Sequence, residues 1–483
     1  MEKMNKFLGM GILLLGCLCV RAQQASVKSF ATDVTRTLDM TEGQIAFCQM
    51  QEGLSVITLN QAVRYQLIDG FGAAITGSTA YNLSLMPSQA RHQFLEETFS
   101  PDKFGFSYVR VSIGCSDFSL SEYTLCDEPG IEHFGLTVEE TKYVIPALQE
   151  ILQINPALKI MGTPWTCPKW MKVKSLDELV PFDSWTGGQL NPAFYQDYAQ
   201  YFVLWIQTMQ EAGIPIYCVT PQNEPLNRGN SASLFMGWQE QQAFVKQALG
   251  PALRQAGLDV KVYAFDHNYN YDNVADQEDY PVKVYNALGN EFEGSELVVG
   301  SAYHDYGGSN SELTDIHNQA SDKELIFSES SIGTWNDGRN LSKRLMEDMK
   351  NVTLGTVNQW CKAVLVWNLM LDVNMGPNLD GGCQTCYGAV DIALDYKTIT
   401  RNSHYYVISH MSSVVRPNAI RIGAAQRSLV KNGLIYSAFR NNDGTYAVVV
   451  LNNGDEAINA TISDGQRHFK ALIPAQSVVS CNW

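Results

Sequence analysis

Short apolar runs alternate with segments of helical periodicity along the middle of this chain of 483 residues. Each run is long enough for a buried strand, and the runs occupy residues 67–75, 108–113, 158–165, 217–221, 260–265, 297–303, 325–328 and 363–369. Eight strands separated by helices are what a closed (β/α)8 barrel requires. A doubly wound open sheet is the competing interpretation, and it is disfavoured because no glycine-rich phosphate-binding loop follows an early strand.

Two of the intervening helices carry clear start signals. Thr137 and Glu140 form a capping-box pattern ahead of an apolar helix face. Asn191 and Pro192 begin a second helix, which Gly213 is placed to end. Both helices fall between apolar runs, as the barrel requires.

The two ends of the chain have a β pattern instead. Residues 24–66 contain short β segments, and the runs 434–439 and 446–451 flank an Asn-Asp-Gly sequence that is a strong hairpin signal. We therefore divide the chain into an N-terminal β segment at residues 23–66, a catalytic barrel at 67–410 and a C-terminal β segment at 411–483. The outer segments are expected to share one β domain.

The first 22 residues have the pattern of an export signal. Lys3 and Lys6 precede an apolar run at residues 7–20, and a possible cleavage site follows at Ala22. The sequence around Cys17 also resembles a lipoprotein cleavage site, so a membrane tether through a lipidated Cys17 stays open. The alternative is a buried N-terminal helix. We expect an exported protein that is periplasmic, secreted or lipid-anchored at the cell surface.

Composition narrows the class of partner. The formal net charge is −16 and the isoelectric point is about 5.0, whereas a nucleic-acid partner calls for a basic face. A neutral ligand such as a sugar fits this balance.

The eleven cysteines become nine once Cys17 and Cys19 are removed with the signal. An exported protein can form disulfides, and two pairs are close enough in sequence to do so, Cys115 with Cys126 and Cys383 with Cys386. The second pair is a lone CxxC with no partner pair at zinc spacing, so we interpret it as a loop disulfide or two free thiols. No metal and no cofactor are expected.

Two glutamates stand where barrel enzymes place their chemistry, at the C-terminal ends of strands. Glu224 closes the fourth apolar run and Glu329 closes the seventh. Glycoside hydrolysis needs two carboxyls, one to protonate the leaving oxygen and one to attack the anomeric carbon or to activate water. Most glutamates are solvated surface charges, so their position at strand ends is what favours these two.

Several longer motifs make the chain resemble glycoside hydrolase family 30, the family of the lysosomal glucosylceramidases and their bacterial and fungal relatives. The motifs are IDGFGAA at 68–74, RVSIGCSDFS at 110–119, TPWTCPKWMK at 163–172, TPQNEP at 220–225, VWNL at 366–369, GPN at 376–378, YY at 405–406 and HMS at 410–412. The resemblance implies a (β/α)8 barrel with an attached β-sandwich built from both chain ends. It also implies a retaining mechanism with Glu224 as acid/base and Glu329 as nucleophile.

The same resemblance implies a set of substrate-binding residues. Asn223 would contact the sugar 2-hydroxyl, and Trp165, Trp367 and Asn378 would line the subsite of the cleaved residue. Arg110, His304 and Tyr306 would position the nucleophile and the ring-oxygen side. Trp170 and Trp205 are expected in the core, Asp266 and His267 as a hydrogen-bonded pair, and His304 is not expected to bind a metal because no second histidine is placed to join it.

One departure from the family bears on the substrate. The glucosylceramidases carry an aspartate after the Gly-Phe-Gly turn, where this chain has Thr76 and Gly77. Loss of that carboxylate would open the edge of the site to a continuing sugar chain, as the endo-acting β-1,6-glucanases of the family require. The expected substrate is therefore a β-linked glucan or glucoside, cleaved in a β-1,6-glucanase-like or glucosylceramidase-like manner.

The alternatives within the family are β-xylosidase and β-fucosidase activities. A non-catalytic carbohydrate-binding protein is the alternative from another class, and the presence of both glutamates argues against it. A serine protease or esterase is disfavoured because no Gly-x-Ser-x-Gly elbow occurs.

Overall fold

A computed structural model of the protein describes residues 26–50, 55–428 and 433–483. The predicted export signal, including Cys17, lies outside these ranges. Within them, no helix combines the length and the apolar character needed to cross a bilayer.

The strands fall into a long central series and two outer groups. In chain order they are β1 Ser26–Asp33, β2 Thr41–Cys48, β3 Ser55–Leu67, β4 Gly70–Ala74, β5 Tyr108–Ser112, β6 Lys159–Thr163, β7 Lys172–Val173, β8 Gln189–Leu190, β9 Cys218–Val219, β10 Lys261–Asn268, β11 Val298–His304, β12 Glu324–Glu329, β13 Ile332–Gly333, β14 Cys361–Asn368, β15 Met370–Asp372, β16 Cys386–Tyr387, β17 Val390–Ile392, β18 Ile399–Arg401, β19 Ile420–Ser428, β20 Leu434–Arg440, β21 Tyr446–Asn452, β22 Ile458–Ser463, β23 His468–Ile473 and β24 Ser477–Asn482.

The α-helices lie between the central strands. They are α1 Gly77–Leu85, α2 Ser88–Phe99, α3 Ile145–Ile154, α4 Tyr195–Glu211, α5 Trp238–Phe244, α6 Gly250–Gln255, α7 Tyr280–Leu288, α8 Ser311–Gln319, α9 Leu341–Asp348, α10 Leu354–Asn358 and α11 Ser403–Ser412. Single π-helical turns precede α3 and join α5 to α6 and α9 to α10, at Glu140–Val144, Val245–Leu249 and Met349–Thr353.

Eight parallel strands close into the predicted barrel. Each of the eight apolar runs overlaps one of them, and their order around the barrel is β4, β5, β6, β9, β10, β11, β12 and β14, with β14 pairing back to β4. An apolar cluster with members from seven of these strands packs together inside, for example Tyr108, Tyr263 and Leu365. The interior is therefore a packed core, and the strand ends are left to build the site.

The predicted helix signals are confirmed. The Glu140 carboxylate accepts hydrogen bonds from the Thr137 backbone N–H and hydroxyl at 2.9 and 2.6 Å, ahead of α3. The Asn191 side chain accepts from the Ala193 N–H at 3.0 Å, and α4 ends just before Gly213. Local capping chemistry thus fixes two helix starts independently of packing.

Strands from both chain ends form the second domain, as expected. Nine strands pair in the closed order β1, β2, β23, β22, β3, β19, β20, β21 and β24. The predicted hairpin is β20 with β21, with Arg440 opposite Tyr446. The boundary placed after residue 410 falls inside α11, and the sandwich resumes at β19.

His410 joins the barrel to the sandwich. It lies on α11, and its ring nitrogens bond the hydroxyls of Ser480 on β24 and Thr32 on β1 at 2.8 and 2.9 Å. Because the ring is fully buried, burial lowers the pKa of His410 to about 3 and keeps it neutral. The two domains therefore meet at this point through an uncharged side chain.

Of the two cysteine pairs that are close in sequence, one forms a disulfide and the other does not. Cys383 and Cys386 form a disulfide, whereas Cys115 and Cys126 are both buried free thiols. Of the two tryptophans expected in the core, Trp205 is fully buried there, and Trp170 is partly buried against it with its indole N–H donating to Cys126 O.

Candidate active site

A cleft of about 330 Å³ opens at the C-terminal ends of the barrel strands. Carboxyl, amide and aromatic side chains dominate its lining, together with the disulfide. The residues are Asp117, Trp165, Asn223, Glu224, Asn227, Asn230, Asn268, Tyr306, Glu329, Ser331, Trp335, Trp367, Gly382, Cys383 and Cys386. Such a mixture of rings and hydrogen-bonding groups suits a sugar.

Glu329 is the last residue of β12, where the strand delivers its side chain into the cleft. One carboxylate oxygen, Oε2, forms an ion pair with Nη1 of the fully buried Arg110. The other, Oε1, accepts a hydrogen bond from the Tyr306 hydroxyl at 2.9 Å. The carboxylate is thereby held from both sides with one edge toward the cleft.

Glu224 follows the short strand β9 on a strained backbone. Its φ of 43° lies in the left-handed region, and its N–H donates to Asp266 O at 3.0 Å. Asn227 and Asn230 donate side-chain N–H groups to Oε2 at 2.8 and 3.2 Å, and His304 Nδ1 lies 3.3 Å from Oε1. The strain is of the kind that active sites retain in order to aim a side chain.

Asp266 is the buried centre that connects these groups. Its carboxylate accepts from Arg110 Nη2 at 2.9 Å, and one of its oxygens lies 3.0 Å from His304 Nε2. The expected pairing of Asp266 with His267 is wrong. The Asp266 carboxylate pairs with Arg110 and His304, and His267 instead lies 3.1 Å from Asp272.

His304 is protonated and positively charged in this environment. Burial lowers the pKa of His304, but the negative charges of Glu329, Asp266 and Glu224 outweigh it and raise the pKa to about 10. Burial likewise opposes ionisation of Asp266, yet Arg110 and His304 hold the pKa of that carboxyl well below its usual range. Two cations therefore face the carboxylates of the site.

The two candidate catalytic carboxyls lie close together. Oxygens of Glu224 and Glu329 are within 4.8 Å of each other and of a His304 nitrogen. Burial raises the pKa of Glu329, and the attraction of His304 and Arg110 does not fully offset it. Burial acts on Glu224 in the same direction, but hydrogen bonding to His304 and the charge of His267 bring the pKa of Glu224 below its ordinary value.

Two tryptophans form one wall. Trp165 and Trp367 stack with centroids 5.1 Å apart and an interplanar angle of 25°. The Arg110 guanidinium lies 4.9 Å from the Trp165 ring centroid, so the wall is continuous with the ion pair below it. Asn223 lines the same cleft, and its Oδ1 accepts from Arg110 Nη2 at 2.7 Å, which leaves its NH2 group for a ligand.

Asp117 lines the cleft although the sequence reasoning did not single it out. Burial, followed by the charges of Glu329 and Glu224, raises the pKa of Asp117 to about 8. The signal was present, because Asp117 lies within the RVSIGCSDFS motif. Gly77 does not line the cleft, and a Cβ there would overlap the Glu139 carboxyl.

Most predicted binding residues meet here. Trp165, Asn223, Tyr306 and Trp367 line the cleft, and Arg110 and His304 contact the glutamates. Asn378 does not line it, because its side-chain N–H donates to Met375 O at 2.9 Å within its own loop.

Comparison with known proteins identifies the family. Residues 68–415 match the glycosyl hydrolase family 30 TIM-barrel domain, and residues 418–481 match the family 30 beta sandwich domain. The solved structure of the endo-beta1,6-glucanase BT3312 is 60% identical in sequence, with a TM-score of 0.91, and the match covers 95% of this chain and 100% of that one.

Two curated relatives are more distant. Endo-1,6-beta-D-glucanase BGN16.3 of Trichoderma harzianum is 31% identical, over 86% of this chain and 84% of the relative. Lysosomal acid glucosylceramidase of Mus musculus is 26% identical, over 93% and 87% respectively. With both domains matched, the chain belongs to glycosyl hydrolase family 30 and is a glycoside hydrolase.

Proposed function

We propose that this protein is an endo-acting hydrolase of β-1,6-linked glucan that retains the anomeric configuration. The assignment of the substrate rests on the likeness to the endo-beta1,6-glucanase BT3312, at 60% identity across almost the whole chain. Curated 1,6-glucanases from fungi support the same linkage. The retaining mechanism rests on the spacing of two carboxyls.

The spacing favours attack by a carboxylate rather than by water. Oxygens of Glu224 and Glu329 lie within 4.8 Å. Inverting enzymes leave about 6.5–9.5 Å between their carboxyls for a water, whereas retaining enzymes have about 5–5.5 Å. The short spacing here is closer to the retaining range than to the inverting one.

In the first step, a Glu329 oxygen forms a bond to the anomeric carbon as the bond to the leaving glycosidic oxygen breaks. Glu224 gives its proton to that oxygen, and the leaving sugar departs with a free hydroxyl. Arg110 and Tyr306 hold Glu329 in place for the attack. In the second step, Glu224 takes a proton from water, whose oxygen displaces Glu329 and regenerates the carboxylate.

The proton must move before the first step can occur. Without substrate, the pKa of Glu224 is lowered and the pKa of Glu329 is raised, which is the opposite of what the chemistry requires. A glycosidic oxygen that accepts a hydrogen bond from Glu224 stabilises the protonated acid there, and Arg110 and His304 then favour ionised Glu329. Substrate binding itself completes the catalytic arrangement.

The deciding experiment is hydrolysis of 1,6-, 1,3- and 1,4-linked β-glucans beside aryl β-glucosides, β-xylosides and β-fucosides, with Glu329→Gln as the inactive control. We expect oligosaccharides of intermediate length from 1,6-linked glucan and a β-anomer as first product by NMR. Release of glucose alone, indifference to the 1,6-linked polymer, or full activity of Glu329→Gln would contradict the proposal.

We also propose that the protein is exported, with cleavage of residues 1–22 or lipidation of Cys17. The Cys383–Cys386 disulfide supports an oxidising compartment. Mass spectrometry of the N-terminus after cell fractionation tests this, and an intact Met1 in the cytoplasm would refute it.

A further inference from the structure

A second pocket of about 540 Å³ adjoins the catalytic cleft. It lies behind the loops that follow β11 and β12, and three residues line both spaces, namely Tyr306, Ser331 and Trp335. The two are therefore neighbouring compartments of one groove. None of the steps described above uses the second compartment.

Trp335 forms the ridge between the compartments, and 53% of it is exposed. Its ring lies directly against Gly333, where an added Cβ would come within 1.9 Å of a ring carbon. Because residue 333 is a glycine, the Trp335 indole can pack against strand β13, which follows Glu329 in the chain. An exposed, well-supported indole is a surface on which the apolar face of a pyranose ring can stack.

The remaining walls are strongly polar. Arg344 lies on α9 and is fixed by Glu347, whose Oε2 it reaches at 2.9 Å, and by the buried Asp348. Asp305 and Asn351 face the same space. Sugar hydroxyls both donate and accept, and this wall offers carboxylate oxygens, amide groups and a guanidinium.

The charged groups that line the pocket restrict which sugars can bind there. Three carboxyls, those of Asp305, Glu347 and Asp348, face one guanidinium, that of Arg344. Like charges near one another are unfavourable, so an anionic saccharide such as a uronic acid would be repelled. A neutral hexose is compatible with this surface.

We propose that the second pocket is a distal subsite for a glucosyl unit of the same chain that is cleaved in the cleft. The inference rests on the proposed function. A 1,6-linkage contains an additional rotatable bond, the exocyclic C5–C6 bond, so the chain can turn over the Trp335 ridge from one compartment into the next. The subsite would make the enzyme prefer longer chains.

The test compares β-1,6-linked glucosyl oligosaccharides from the disaccharide to the hexasaccharide. Asn351→Trp and Ser309→Trp each add bulk to the pocket at an exposed position, from two different segments of the chain, and Lys350→Trp adds the same bulk beside it, outside the pocket. We expect the ratio of kcat/KM for hexasaccharide over disaccharide to fall about tenfold in the first two variants, as for one lost sugar contact. Lys350→Trp should keep the original ratio.

An unchanged ratio in both narrowing variants, each with a normal Tm, would overturn the subsite while leaving the proposed function intact. If the unaltered protein hydrolyses none of these oligosaccharides, the proposed function falls and the subsite with it.

Discussion

Arg110, which is fully buried, forms an ion pair with Glu329, whose carboxylate lines the cleft. The same guanidinium also reaches Asp266 and Asn223, so one cation organises three partners. Such a pair orients the carboxylate, and removal of either member leaves an uncompensated charge in the interior.

Replacement of Arg110 by methionine should therefore cost about 3–5 kcal/mol of unfolding free energy and abolish most activity. Asp266 and Glu329 would lose their shared cation. The measurement is urea denaturation beside Arg254→Met, which breaks a pair that is exposed on both sides and should cost under about 1 kcal/mol. Equal losses in the two variants would contradict the assigned importance of Arg110.

Replacement of Glu224 by glutamine should lower kcat/KM on glucan by about 10²–10⁴-fold, because the leaving sugar loses its proton donor. An aryl β-glucoside with an acidic phenol needs no such donor. With that substrate we expect a burst of phenol followed by a slow phase, since water then lacks its base. Glu150→Gln, on the outer helix α3, serves as the control, and a uniform loss on both substrates would argue against the acid/base role.

The pH profiles should differ between the free and the occupied enzyme. The pKa of Glu224 is lowered in the free enzyme, and it rises when a glycosidic oxygen accepts a hydrogen bond from the protonated carboxyl. The alkaline limb of kcat should then lie at higher pH than that of kcat/KM, because the acid stays protonated longer in the complex. Coincident limbs would show that binding leaves the proton in place.

Acid should weaken the contact between the two domains through His410. Its folded-state pKa of about 3 lies below the ordinary value of about 6.5, so between these values only the unfolded chain binds the proton. The free energy of unfolding should fall by about 1.4 kcal/mol for each pH unit below 6.5 on account of this group. His410→Gln should flatten that slope in denaturation curves, while His92→Gln, at an exposed site, should not.

The Cys383–Cys386 disulfide lines the cleft and closes a short loop, since the cysteines are three residues apart. Chain entropy for so small a loop gives about 2 kcal/mol of stabilisation. The double Cys→Ser variant should lower Tm slightly and raise KM more than it changes kcat, because the cleft wall loosens. Cys48→Ser, which removes an exposed free thiol, provides the control, and a fall in kcat alone would contradict this picture.

The pattern of apolar runs was enough to place all eight barrel strands, because parallel strands buried on both faces have a distinctive composition. The position of Glu224 and Glu329 at strand ends then followed from the rule for barrel active sites. The directions and partners of side chains were harder to predict from the sequence. Asp266 pairs with Arg110 and His304 rather than with its neighbour His267, and a hydrophobic pattern does not predict such polar partners. Asp117 comes from a loop, where periodicity predicts nothing.

The inference from Gly77, that the edge of the site is open to a continuing sugar chain, stays a prediction. Gly77 itself does not line the cleft, while Asp117 from another loop does. Cys115 and Cys126 are near in sequence, yet both remain free thiols. Proximity along the chain does not determine proximity in a fold assembled from non-local contacts.

The closed order of the sandwich has a consequence for how the protein is made. β1 pairs with β24, as Lys28 lies opposite Asn482, so a strand synthesised early waits for one of the latest to emerge. During translation the barrel can assemble while β1 still presents an unpaired edge, which is a hazard for aggregation. Nascent chains arrested before residue 477 should therefore depend on a chaperone that shields this edge, and release of the final strand is the event that ends the dependence.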